Sequence, residues 1–156
     1  MLFRSDNLVI VELPKNLKTM GSLVFLGCQE LESVEIWDIA KWCQIDGDLF
    51  IGGDVLRLNG KKLSGELVIP TGVTEIPKGA FSDCDGLTSV ILPESVIVVG
   101  DSAFNYCDNL LEFTSLGNLE KIENHAFSDC GKLSNVEIPD RATLPSLHPQ
   151  NNYSTL

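Results

Sequence analysis

Basic charge is what this chain most lacks: 11 Lys and Arg stand against 22 Asp and Glu, a formal net charge of −11. Nucleic acid is recognised through a basic stripe, and an anionic membrane attracts the same kind of surface, so neither partner fits. The acidity reads as a solubility device that would also favour a positively charged partner at range. Long apolar runs are missing too, and nothing approaches the ~20 residues of a membrane-spanning helix. Histidine is scarce. His125 and His148 are the only two, and neither lies beside a nucleophile with a recognisable signature. No cysteine pair has the C-x-x-C spacing of a zinc site. Asp46, Asp48 and Asp54 in DGDLFIGGD fail the alternating ligand pattern of a calcium loop and read as solvated acids on a glycine-rich turn. No catalytic residue, metal or cofactor is therefore expected.

What the chain has instead is repetition. Phe81, Phe104 and Phe127 are 23 residues apart and open the phrases FSDCDGLTSVILP, FNYCDNLLEFTSL and FSDCGKLSNVEIP. The shared template is A-F-x-x-C-x-x-L-x-x-V-x-I-P, and a fixed period of this size marks a stacked solenoid. Phe25, Cys28, Leu31, Val34 and Ile36 fit the template again, with Trp37 where later copies have Pro. Leu2, Ser5, Leu8, Val11, Leu13 and Pro14 fit it once more. The second half of the unit recurs as well: Val96, Val99, Gly100, Ala103 and Phe104 correspond to Val73, Ile76, Pro77, Ala80 and Phe81.

Phe25 and Phe81 are 56 residues apart, one period plus 33. The stretch of about 37–63 therefore reads as an insertion. It opens with WDIAKWCQI, a helical turn with Asp38 as N-cap. It continues to Asn59-Gly60, a two-residue hairpin signal between leucines. The stretch is too short to bury its own core, so residues 1–145 read as one solenoid, with 146–156 an irregular tail. No export signal is visible in MLFRSDNLVIVELP. The expectation is a piece of a longer exported array that begins within the solenoid.

One unit cannot bury its apolar side, but stacking turns each template position into an internal ladder. The L-x-x-V-x-I segment alternates as a strand, and proline after it offers no ladder donor. Leu87, Val90 and Leu92 should stack on Leu110, Phe113 and Ser115, then on Leu133, Val136 and Ile138, with Ser115 the polar intruder.

This template resembles the BspA-type leucine-rich repeat of bacterial surface and secreted proteins. The resemblance covers roughly Met1 to Pro139. It implies an α/β leucine-rich-repeat right-handed solenoid of short parallel strands with irregular or 3₁₀ return turns, broken by one helix-plus-hairpin insertion. It also implies a non-enzymatic recognition or adhesion module at a cell surface or outside the cell.

Cys28, Cys84, Cys107 and Cys130 share one template slot and read as a buried ladder of free thiols, with Cys43 outside it. The candidate binding surface is the outward face of the strands. One column there is Glu12, Glu35, Val68, Ile91, Thr114 and Glu137, and the flanking column is Ile10, Ser33, Glu66, Ser89, Glu112 and Asn135. An apolar centre at Val68 and Ile91 with an acidic rim has the anatomy of a contact patch, although Val and Ile suit any strand. Trp37 and Trp42 form a second candidate, against the plainer reading that they seal a break in the core. The expected partner is a protein or glycan. The alternative is a structural spacer that stacks end to end on other copies.

Overall fold

The computed structural model describes residues 7–51 and 54–143. Leu2, Ser5, Pro145, His148 and the tail from residue 146 lie outside the described residues. The chain runs through β1 (Ile10–Glu12), β2 (Thr19–Met20), β3 (Ser33–Ile36), α1 (Ile39–Trp42) and β4 (Asp46–Gly47). There follow β5 (Leu56–Leu58), β6 (Lys61–Lys62), β7 (Gly65–Val68), β8 (Glu75–Ile76) and β9 (Leu87–Leu92). It ends with β10 (Val98–Val99), β11 (Glu112–Ser115), β12 (Lys121–Ile122) and β13 (Asn135–Glu137). This is a β-solenoid of about five turns with almost no helix.

The alternation read from the sequence sets the strands. In β9, Leu87, Val90 and Leu92 are buried and Thr88 is exposed. Parallel pairing aligns Val90 with Phe113 and Phe113 with Val136, while Leu92 meets Ser115. The Ser115 hydroxyl is buried without a hydrogen-bond partner among the described residues, the cost expected of a polar side chain in an apolar ladder. The return passes are mostly turns closed by i+3 to i hydrogen bonds, such as Ala80 N to Pro77 O and Ala103 N to Gly100 O. Each also contributes a two-residue strand, so Ile76, Val99 and Ile122 form a second parallel ladder.

Between these walls lies an aromatic column. Phe81 and Phe104 stack at 5.4 Å, and Phe104 and Phe127 at 5.5 Å. Phe113 meets Phe104 and Phe127 edge-on. Such pairs add about 0.5–1.5 kcal/mol beyond the area they bury. Two left-handed residues flank each ring. Leu23, Gly79, Ser102 and His125 precede it by two positions with φ between 54° and 68°, and Gly27, Asp83, Tyr106 and Asp129 follow it by two with φ between 57° and 84°. The bend recurs although the residue type does not, and each non-glycine there carries roughly 1–2 kcal/mol of backbone strain.

The stretch 37–63 divides in two. Val34 pairs with Leu56 in the parallel register of β3 and β5, and β4 pairs with β2, so residues 37–58 make a complete circuit. Ile39, Trp42, Cys43, Ile45 and Leu49 fill that circuit's interior in place of the template residues. Asp38 caps α1 by accepting a 2.9 Å hydrogen bond from Lys41 N. Only the chain around β6 is extra. Asn59 and Gly60 both have positive φ, and β6 returns antiparallel to β5 as the hairpin signal indicated. The outward wall is consequently two sheets, β1-β3-β5-β6 and β7-β9-β11-β13.

Several contacts among the described residues bind the stacks across this break, the Asp48–Lys78 ion pair at 3.5 Å among them. Trp42, 1% exposed, donates from Nε1 to Ala80 O at 2.8 Å. Leu49 N donates to Lys78 O at 2.9 Å. Gly79 packs so closely that a Cβ there would meet the Phe50 backbone at 2.7 Å.

Candidate functional site

The strand register gives the outward columns their geometry. Glu12 lies opposite Glu35, and in the second sheet Val68 lies opposite Ile91, Ile91 opposite Thr114, and Thr114 opposite Glu137. The flanking column pairs Ile10 with Ser33, and Glu66 with Ser89, Glu112 and Asn135 in turn. Val68 is 55% exposed and Ile10 60%, while Ile91, Thr114, Ser33 and Ser89 are half-buried.

Two cations also enter this face. Glu35 pairs with Arg57, and Arg57 with Lys62, so the column reads Glu12, Glu35, Arg57, Lys62 before the break. Treating 37–63 as an excursion hides them. The signal was present in the pattern Leu56-Arg57-Leu58, which repeats Val34-Glu35-Ile36 one turn on. Arg57 is fixed by donating to Asp54 O at 2.9 Å, Leu56 O at 3.2 Å and Glu32 O at 3.3 Å. Lys62 pairs with Asp54. Glu35 Oε2 accepts from Gly60 N at 2.9 Å, tying the hairpin to the sheet. In the second sheet the apolar pair Val68 and Ile91 continues into Thr114 and Glu137, with Glu66, Ser89 and Glu112 in the flanking column, while the two cations lie in the first sheet.

The two tryptophans separate. Trp42 seals the break. Trp37, 40% exposed, stands at the end of β3 with Nε1 donating to Leu13 O at 3.2 Å and the Lys15 ammonium 4.7 Å from its ring centroid.

The remaining reactive groups are dispersed. Cys84 and Cys107 are buried, with the Cys107 thiol donating to Phe81 O at 3.2 Å and that of half-buried Cys130 to Phe104 O at 3.1 Å. Burial pushes the Cys84 thiol up, and for Cys107 a hydrogen bond with Cys130 and then burial act in the same direction. Cys43 is pushed up to about 12 by burial and then by the Asp38 charge. The thiolate is the reactive form, so these side chains serve packing. His125 is exposed, its Nδ1 3.6 Å from Asp101. Asp48 pairs with Lys78 at 3.5 Å and accepts from Phe50 N, Asp54 pairs with Lys62, and Asp46 lies in β4.

Geometry and sequence converge on one family. The BspA type leucine-rich repeat region matches residues 1–52 and 59–147 in six copies, and the chain belongs to that family. No curated protein matches. Among solved structures, a leucine-rich repeat protein of Bacteroides ovatus is 26% identical with a TM-score of 0.50, over 88% of this chain and 33% of that one. A leucine rich cell surface protein of Faecalibacterium prausnitzii is 17% identical with a TM-score of 0.41, over 83% of this chain and 59% of that one. The T. pallidum leucine-rich repeat protein is 17% identical with a TM-score of 0.43, over 88% and 73% respectively. The chain thus spans about a third of the B. ovatus protein and three-fifths of the F. prausnitzii one.

Proposed function

We propose that this chain is a non-enzymatic binding module of an exported or surface-displayed bacterial protein, engaging a protein or glycan through its outward strand face. The observation that carries this reading is the adjacency of Val68 and Ile91 in register, with Val68 more than half exposed and Glu66 and Glu112 in the flanking column. Apolar centres with polar rims favour association, and a rigid stack loses little entropy on contact. Membership of a family of surface and secreted repeat proteins supports the compartment.

The experiment is capture on immobilised extracellular-matrix proteins and mucin glycans, comparing the native chain with the double variant Val68→Lys/Ile91→Lys. Loss of capture in a variant that retains its circular dichroism and melting midpoint is the expected result. Equal capture by both, or none by the native chain, sinks this face as the site. A second reading, a spacer stacking on other copies, is favoured by Leu133, Val136 and Ile138 of the last strand turn, which are only half-buried. It predicts sedimentation that rises with concentration.

A further inference from the structure

The cavity beside Trp37 is a separate feature, lying beyond the outward strand columns. In the other turns this template position holds Pro14, Asn59, Pro70, Pro93, Leu116 and Pro139, so the strand ends without any need for a large aromatic. Trp37 is also not core: it is 40% exposed, yet its ring is held by the hydrogen bond to Leu13 O. Beneath it is a cavity of about 230 Å³, floored by Leu13, Ile36 and Trp42 and rimmed by Lys15, Lys41, Asp38 and Asn59.

The rim's charges are unequal in availability. One oxygen of Asp38 is occupied by Lys41 N. The Lys41 ammonium has no ion pair among the described residues, and that of Lys15 rests against the Trp37 ring. In a chain of net charge −11, this rim presents two cations to a ligand.

We propose that this cavity binds the carboxylate-bearing ring of an acidic sugar, a uronic acid unit of a glycan. An indole wall and aliphatic floor match the C–H face of a sugar ring. Asn59 offers both donors and an acceptor and Asp38 a further acceptor, which suits a polyol. Lys15 and Lys41 complement the carboxylate. An acidic peptide would use the cations, and its backbone could meet Asn59 and Asp38, but it lacks the flat C–H face that the indole wall matches. The volume suits a single ring.

The test is isothermal titration of the full chain with an α-1,4-linked galacturonic acid trimer, with maltotriose as the neutral control and polyglutamate as the acidic peptide. Saturable binding of the uronate that weakens with salt is expected, with no binding of maltotriose. The double variant Lys15→Gln/Lys41→Gln should weaken it about tenfold, the equivalent of ~1.4 kcal/mol. Trp37→Pro, which installs the residue common at this template position, should abolish it while leaving the melting midpoint and the Val68/Ile91-dependent capture unchanged. No heat with the uronate, equal affinity for maltotriose, tighter binding of polyglutamate, or undiminished binding by a folded Trp37→Pro would each overturn the assignment. None of these results bears on the outward strand face.

Discussion

The stacks on either side of the β6 hairpin build the same coil from different material. From β7 to β13 the chain follows its template, and three phenylalanines 23 residues apart stack face to face. The circuit from 37 to 58 keeps only the closing strand of that pattern, Leu56-Arg57-Leu58. A single helical turn, Trp42, Ile45 and Leu49 occupy its interior, and still Leu56 pairs with Val34. A solenoid turn therefore needs apolar volume and backbone partners at the right height, not a particular motif. The irregular circuit nonetheless depends on links across the break, because its neighbour on that side is not another parallel strand.

That comparison can be broken most severely at Trp42. Trp42→Ala removes a fully buried ring and strands the Ala80 carbonyl, for a loss of about 3–5 kcal/mol in urea denaturation. Hydrogen exchange should show β1 to β5 losing protection well before β9 to β13. A uniform loss over both stacks would mean that the break is not where they come apart.

A smaller change sharpens the regular side. Ser115→Val should replace an unsatisfied buried hydroxyl with a ladder residue opposite Leu92, adding about 1 kcal/mol. A lower urea midpoint would indicate that the hydroxyl has a partner after all.

The smallest expected effect concerns charge on the regular stack. Burial raises the Asp83 carboxyl, opposed by a hydrogen bond from Ser82 and reinforced by Asp85, Asp54 and Asp108. A carboxyl raised in the folded state contributes stability below its unfolded value and loses that contribution as pH rises through the folded value. Asp83→Asn should thus slightly raise the melting midpoint at neutral pH, with the gain closing in acid below the ordinary aspartate range. Asn also tolerates the left-handed conformation of this position. A gain that persists in acid would point to backbone strain rather than charge.

Much of the coil was legible because its information is periodic. The alignment of Val68 with Ile91 and Thr114, the hairpin at Asn59-Gly60 and the Asp38 cap all follow from local pattern and hold in the structure. The circuit from 37 to 58 was hidden because Trp42 and Leu49 do its packing without repeating any template letter. With it were hidden Arg57 and Lys62, two cations on the outward face. The left-handed bends on either side of each phenylalanine were equally invisible, since Leu23, Ser102 and His125 share a conformation but no chemistry.

The sequence by itself determined the strand faces, the 23-residue period and the burial of the template residues in the middle turns, because alternation and spacing act over a few neighbouring positions. In the outer turns Cys28, Cys130, Leu133 and Val136 are only half-buried. Only the tertiary structure decided that Trp42 turns inward to Ala80 while Trp37, five residues earlier, stays at the surface against Lys15. Both are tryptophans in one short stretch. What separates them is the turn each meets, the preceding one at Leu13 for Trp37 and the one across the break at Ala80 for Trp42, a pairing set by the stack and not by the chain.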